Sequence, residues 1–122
     1  RVPIQYAMAY PERLTTGSRP LDLFALGQLT FEPGDPERFP ALRLAGECLR
    51  AGGAACAILN GANEAAVAAF LREEIPFGGI TRLVEGTLNR LGHLPADTLD
   101  DIFDADAQAR RTVAELLPHV RA

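Results

Sequence analysis

Leu59-Asn60-Gly61-Ala62-Asn63-Glu64-Ala65-Ala66-Val67-Ala68-Ala69-Phe70-Leu71 sets two amides and a carboxylate inside an alanine-rich apolar run. Ile58, Leu59, Ala62, Val67, Phe70 and Leu71 recur at helical spacing, and Ile75-Pro76 stops the run. The polar residues are expected to find partners where the helix packs, because an unpaired buried polar group costs ~1–3 kcal/mol. Asn60, Asn63 and Glu64 stand at i, i+3 and i+4, so they are read as one patch. Two readings stay open. Asn60 caps a helix starting at Gly61 with Glu64 favouring its first turn, or the helix starts near Ala54 and the patch docks a neighbouring domain. Gly61, at roughly 1 kcal/mol below Ala in a helix interior, fits either a helix start or a close approach by another backbone.

Outward from that stretch the pattern stays helical. Phe39, Leu42, Ala45 and Leu49 predict a helix ended by Gly52-Gly53. Ile80, Leu83, Val84, Leu88 and Leu91 predict another, closed by Gly92 with Pro95 beyond it. Thr98 and Asp101 have the spacing of a helix cap, and the last helix is expected to restart near Asp104 or Asp106 and present Val113, Leu116, Leu117 and Val120. Gly78-Gly79 reads as helix punctuation. The fold class expected is mainly α, a small antiparallel helical bundle over 37–122.

The front differs. Six of the nine prolines fall in the first forty residues, so 1–36 reads as a proline-rich connector segment. Pro3 suits the first turn of a short helix stopped by Pro11. Gln28-Leu29-Thr30-Phe31-Glu32 alternates as a short strand, and Pro33-Gly34-Asp35-Pro36 ends it with turn chemistry.

Composition narrows the chemistry. The 122 residues carry 48% hydrophobic and 23% charged side chains, enough for one soluble domain. Net charge is −4 and no basic cluster exceeds Arg110-Arg111, so nucleic acid is not an expected partner. No apolar run reaches the ~20 residues of a membrane span, and no signal peptide is visible. All 12 basic residues are Arg, which removes Schiff-base and P-loop lysine chemistry from this stretch. The sequence does not begin with Met and is read as a piece of a longer polypeptide. Cys48 and Cys56 are expected as reduced core thiols, and His93 and His119 as solvated side chains.

Asp100-Asp101-Ile102-Phe103-Asp104 matches the aspartate-rich pattern that holds Mg²⁺ and a diphosphate in isoprenoid diphosphate synthases. Acidic residues at a helix start, stabilised by its dipole, are the plainer account. No residue is assigned as catalytic, cofactor-binding or metal-ligating.

The stretch from Leu59 to Leu71 resembles the Leu-Asn-Ala-Ala-Asn-Glu motif and following Val-Ala-x-x-Phe helix of 1-deoxy-D-xylulose 5-phosphate reductoisomerases. The resemblance runs along the whole chain, in order, through Arg1-Val2-Pro3-Ile4, Ala7-Met8-Ala9-Tyr10-Pro11-Glu12-Arg13, Pro20-Leu21-Asp22-Leu23 and Leu29-Thr30-Phe31-Glu32-Pro33. It continues through Phe39-Pro40-Ala41-Leu42-Arg43-Leu44-Ala45, Ile75-Pro76-Phe77 and Asp104-Ala105-Asp106-Ala107-Gln108-Ala109-Arg110. Gly61 replaces the motif's first alanine, and Ala41 stands where the family often has Cys.

The resemblance implies the C-terminal connector and helical bundle of an enzyme that converts 1-deoxy-D-xylulose 5-phosphate to 2-C-methyl-D-erythritol 4-phosphate in non-mevalonate isoprenoid biosynthesis. It implies NADPH and Mg²⁺ or Mn²⁺ for the full-length parent and none held by this chain. The implied partners are the upstream NADPH-binding and catalytic domains, in a homodimer of the bacterial cytoplasm without nucleic acid or membrane. Asn60, Asn63 and Glu64 are then interdomain docking candidates. The alternative is a free-standing, non-catalytic helical interaction module.

Overall fold

The computed structural model describes residues 2–15, 17 and 19–120. The chain divides into two compact units, Arg1–Pro33 and Gly34–Ala122. Arg1, which opens the quoted family motif, lies outside the described residues.

In the first unit, α1 (Val2–Ala9) has Pro3 in its first turn, where a missing N–H costs nothing. Gln5 reaches back to the Leu14 carbonyl at 3.2 Å, and the Arg13 guanidinium lies 4.6 Å from the Tyr6 ring. A one-turn helix, α2 (Leu23–Leu26), follows, just ahead of the run at 28–32. Its cause is Asp22, whose carboxylate accepts from the Phe24 and Ala25 amides at 2.9 and 3.1 Å. The strand expected over 28–32 is not formed among the described residues. Its alternation is genuine, but a strand exists only through a hydrogen-bonded neighbour, and the described residues supply no second strand to pair with. No described residue of this unit is buried. Ile4, Met8, Tyr10, Phe24 and Phe31 are all exposed, Phe24 completely.

The second unit is a bundle of four helices: α3 (Pro40–Ala51), α4 (Ala55–Leu71), α5 (Phe77–Leu91) and α6 (Leu99–Leu116), with a 3₁₀ turn over Leu117–His119. The fold class is therefore mainly α, as expected. Helix α4 is central and packs against α3, α5 and α6. Its buried positions, Ala55, Ile58, Gly61, Ala62, Ala66 and Ala69, recur every three or four residues. They meet Leu83, Val84 and Thr87 of α5 and Ala105, Ala109 and Val113 of α6. Small side chains on facing helices let the backbones draw close, so the core is built from contact area as much as from large residues. At Gly61 the approach is tightest: a Cβ there would collide with the Asp106 carboxylate and stand 3.3 Å from the Asp106 carbonyl. That resolves the Gly61 reading in favour of close approach.

Helix α4 begins at Ala55, which decides its open start in favour of the reading near Ala54 and leaves Asn60 in mid-helix. Three local readings change. Gly78 and Gly79 lie inside α5, whose start is set by Pro76. Helix α6 is continuous from Leu99 with no restart at Asp104 or Asp106, because Thr98 and Asp101 form a complete capping box. On α3 the buried residues are Leu44 and Cys48, whereas Phe39, Leu42 and Leu49 are exposed. The helix has two apolar faces, and periodicity selected the outer one.

The turn between α3 and α4 needs glycine. Gly52 and Gly53 have φ of 70° and 52°, and a Cβ on Gly53 would stand 2.9 Å from the Leu94 carbonyl. That carbonyl accepts from the Ala54 amide at 3.1 Å, pinning the α5–α6 connection to the start of α4. Cys48 is buried, Cys56 is exposed and both are free thiols, so only one of them is a core thiol. Burial and the neighbouring Cys56 and Glu47 push the Cys48 thiol above its ordinary pKa.

Candidate docking surface

Because α4 starts at Ala55, residues 60, 63 and 64 sit in mid-helix with their backbone groups already in the helical ladder. All three side chains are exposed, which corrects the expectation that packing buries them. They also part company. Glu64 turns toward α6, and its carboxylate meets Arg110 at 2.7 Å. The Asn60 amide donates to the other Glu64 oxygen at 3.4 Å. Arg110 closes the network on its own helix, with Nε 2.7 Å from one Asp106 oxygen and Nη2 3.1 Å from the other. The Arg110 guanidinium holds Glu64 below the usual carboxylate range, with the Asn60 amide a lesser cause and the nearby Asp106 charge opposing both. Arg110 is raised in turn, by Asp106 first and Glu64 second. Every member is solvent-accessible, so the network fixes the α4–α6 register more than it stabilises the bundle.

Asn63 lies outside this network, 60° around the helix from Asn60 on an ideal ~3.6-residue turn and on the opposite side from Glu64. It stands at the rim of a groove between α3, α4 and α5. Ala41 and Leu44 of α3, Leu59 of α4, and Ile80 and Val84 of α5 line the floor, with Thr81 at the other rim. The cavity is about 80 Å³. Among the described residues, Asn63 makes no side-chain hydrogen bond, so its amide is left for solvent or a partner. The three expected docking residues thus divide between an internally satisfied network and one open amide beside an apolar depression.

A second groove lies beside Cys48 and Asn89, bordered by Arg43. Arg43 bridges α3 and α5, reaching Glu47 at 3.1 Å and Glu85 at 2.7 Å. The Arg43–Glu47 and Asp106–Arg110 pairs are i,i+4, a spacing that could have flagged them although the sequence reading did not single them out. Their third partners, Glu85 and Glu64, come from other helices and left no mark in the sequence.

The aspartates near 100 behave as a helix start. The Asp101 carboxylate accepts from the Asp97 and Thr98 amides at 3.1 and 2.8 Å, and the Thr98 hydroxyl receives the Asp101 amide at 3.2 Å. These bonds hold Asp101 below its ordinary pKa, Thr98 being the main cause. Among the described residues, no group of three or more His, Cys, Asp or Glu is placed to hold a metal ion. His93 and His119 are exposed, and among the described residues no helix is long and apolar enough to cross a membrane.

The family model for the DXP reductoisomerase C-terminal domain matches residues 1–112. A 1-deoxy-D-xylulose 5-phosphate reductoisomerase of Aromatoleum aromaticum is 54% identical over 110 residues, covering 90% of this chain and 27% of that protein. One from Ralstonia nicotianae is 56% identical over 111 residues, 91% of this chain and 28% of its own length. Among solved structures, the Zymomonas mobilis reductoisomerase in complex with NADPH superposes with a TM-score of 0.77 at 45% identity, over 95% of this chain and 31% of that one. A DOX-P reductoisomerase in complex with magnesium gives 0.80 at 35% identity, over 98% and 32%. The chain thus spans less than a third of the proteins it matches. A match over nearly every residue, joined to a bundle of the same shape, places the chain in the DXP reductoisomerase family, as its C-terminal domain.

Proposed function

We propose that this chain is the supporting C-terminal part of an NADPH-dependent oxidoreductase that rearranges and reduces 1-deoxy-D-xylulose 5-phosphate to 2-C-methyl-D-erythritol 4-phosphate, in non-mevalonate isoprenoid biosynthesis. The carrying observation is the match of residues 1–112 to that enzyme's C-terminal domain. Residues 1–36 serve as the connector and 37–122 as the bundle. The reacting groups belong to the remainder of the polypeptide: solved relatives hold NADPH and magnesium, whereas the described residues here offer no cluster suited to a metal. No chemical step is therefore assigned to a side chain of this stretch. Its work is mechanical.

Two features support a bracing role. The first unit exposes apolar side chains along its length and buries none among the described residues, which is the surface of a segment meant to be covered. The bundle, by contrast, has its own core and exposes Asn60, Asn63 and Glu64 on its central helix as docking groups, Asn63 beside the groove between α3 and α5 and Glu64 beside Arg110. The enzyme works as a homodimer in the bacterial cytoplasm, with no nucleic-acid or membrane partner; a net charge of −4 disfavours nucleic acid.

The full-length polypeptide is expected to oxidise NADPH when given 1-deoxy-D-xylulose 5-phosphate and Mg²⁺, and residues 1–122 alone to oxidise none. Turnover by residues 1–122 alone, or a folded full-length protein inert toward that substrate, would overturn the proposal.

A further inference from the structure

We infer that the groove rimmed by Asn63 and Thr81 is a socket for one branched aliphatic side chain from the part of the same polypeptide outside residues 1–122. The Asn63 amide bonds the backbone beside that side chain. The inference rests on the proposed function, since it names what the docking surface receives.

The floor is apolar and its size is selective. About 80 Å³ is well under the ~150 Å³ of an enclosed cavity that accommodates a benzene ring, so the depression suits a Val-, Leu- or Ile-sized group better than an aromatic one. The chemistry of the rim is also specific. Asn60 is bonded to Glu64 and Glu64 to Arg110, whereas the Asn63 amide keeps all its donor and acceptor capacity next to the depression. An amide beside an apolar socket suits a backbone segment that inserts one side chain and presents its N–H and C=O at the edge.

The occupant follows from magnitude. A stable independent interface needs ~800 Å² on each partner, far more than one side chain in one socket provides. Such a contact matters when the occupant is tethered, because effective concentration then replaces affinity. The matched relatives continue for more than two thirds of their length beyond this stretch, which supplies a tethered occupant. A second copy would have to bring a larger surface with it.

The test places a benzophenone amino acid at position 63, and separately at position 81, of the full-length polypeptide, followed by ultraviolet cross-linking and peptide mapping. Both side chains lie on the bundle surface or its edge, so folding is not at stake. The expected product is an intrachain link from either position to a peptide outside residues 1–122, centred on Val, Leu or Ile. Ala41→Leu, which fills the socket from α3, is expected to lower the yield at position 81 several-fold. Links only between two chains, only within residues 1–122, or none from either position would each overturn the inference. NADPH oxidation is measured on the same sample: activity without the expected link removes the socket and leaves the enzyme reading, and the link without activity does the reverse.

Discussion

Two neighbouring glycines in α5 should respond to the same substitution with opposite sign. Gly78 is exposed and a Cβ built on it meets nothing within 4 Å, so Gly78→Ala adds only helix propensity and removes unfolded-state freedom. That is worth about 0.5–1 kcal/mol of added stability. Gly79 is buried, and its Cβ would lie 3.1 Å from the Ile75 Cβ, 3.1 Å from the Val120 Cγ1 and 3.3 Å from the Ile75 Cδ1. These separations are well inside the ~3.5–4.0 Å at which carbon atoms attract. The Ile75 Cβ cannot rotate away, because it is fixed to backbone immediately before Pro76. Overpacking of this kind costs ~1–3 kcal/mol, against a propensity gain of ~1 kcal/mol at most. Gly79→Ala should therefore be neutral to destabilising by about 2 kcal/mol, and the two variants should differ by about 1–3 kcal/mol. Urea unfolding followed by far-ultraviolet circular dichroism measures both, with unchanged m-values as the check that only stability moved. Val120→Ala should offset part of the Gly79→Ala loss, since it removes one crowding atom, and a double-mutant cycle would show that coupling. Equal stabilisation by both substitutions would refute the packing argument.

Two further predictions use the same measurement. Leu83 is fully buried, so Leu83→Ala should cost about 2–5 kcal/mol; Thr87→Val should be close to neutral, because the Leu83 carbonyl that Thr87 bonds at 2.8 Å keeps its helical N–H partner. Glu64 and Asp101 both have folded pKa values below their unfolded ones, so their stabilisation is complete above the ordinary carboxylate range of ~4 and is lost as pH falls through the depressed values. Glu64→Gln and Asp101→Asn should each flatten the acid limb of a stability–pH curve and leave its slope near neutral pH unchanged; an unaltered acid limb would show that these partners are not held in solution.

The capping box at Thr98 and Asp101 illustrates what local chemistry can announce: both residues and both bonds lie within four positions, so spacing was enough. The continuation through Asp104 and Asp106 was harder to see, because acidic residues read equally well as a new helix start. At 28–32 the alternation suggested a strand, and the missing ingredient was a pairing partner that no local pattern can supply. On α3, Leu42 and Leu49 share the spacing that marks a buried face, yet Leu44 and Cys48 are the pair inside.

Residue order along the chain was sufficient for the helical class, for the central helix that carries Asn60, Asn63 and Glu64, and for membership in the reductoisomerase family. These depend on periodicity and on motifs read a few residues at a time. Tertiary structure alone decided that Glu64 faces Arg110 while Asn63 faces an apolar groove, and that Gly61 marks where α6 comes closest. Helical spacing puts side chains on a common side of one cylinder, but only the neighbouring cylinders determine which of them meet a charge, a cavity or water.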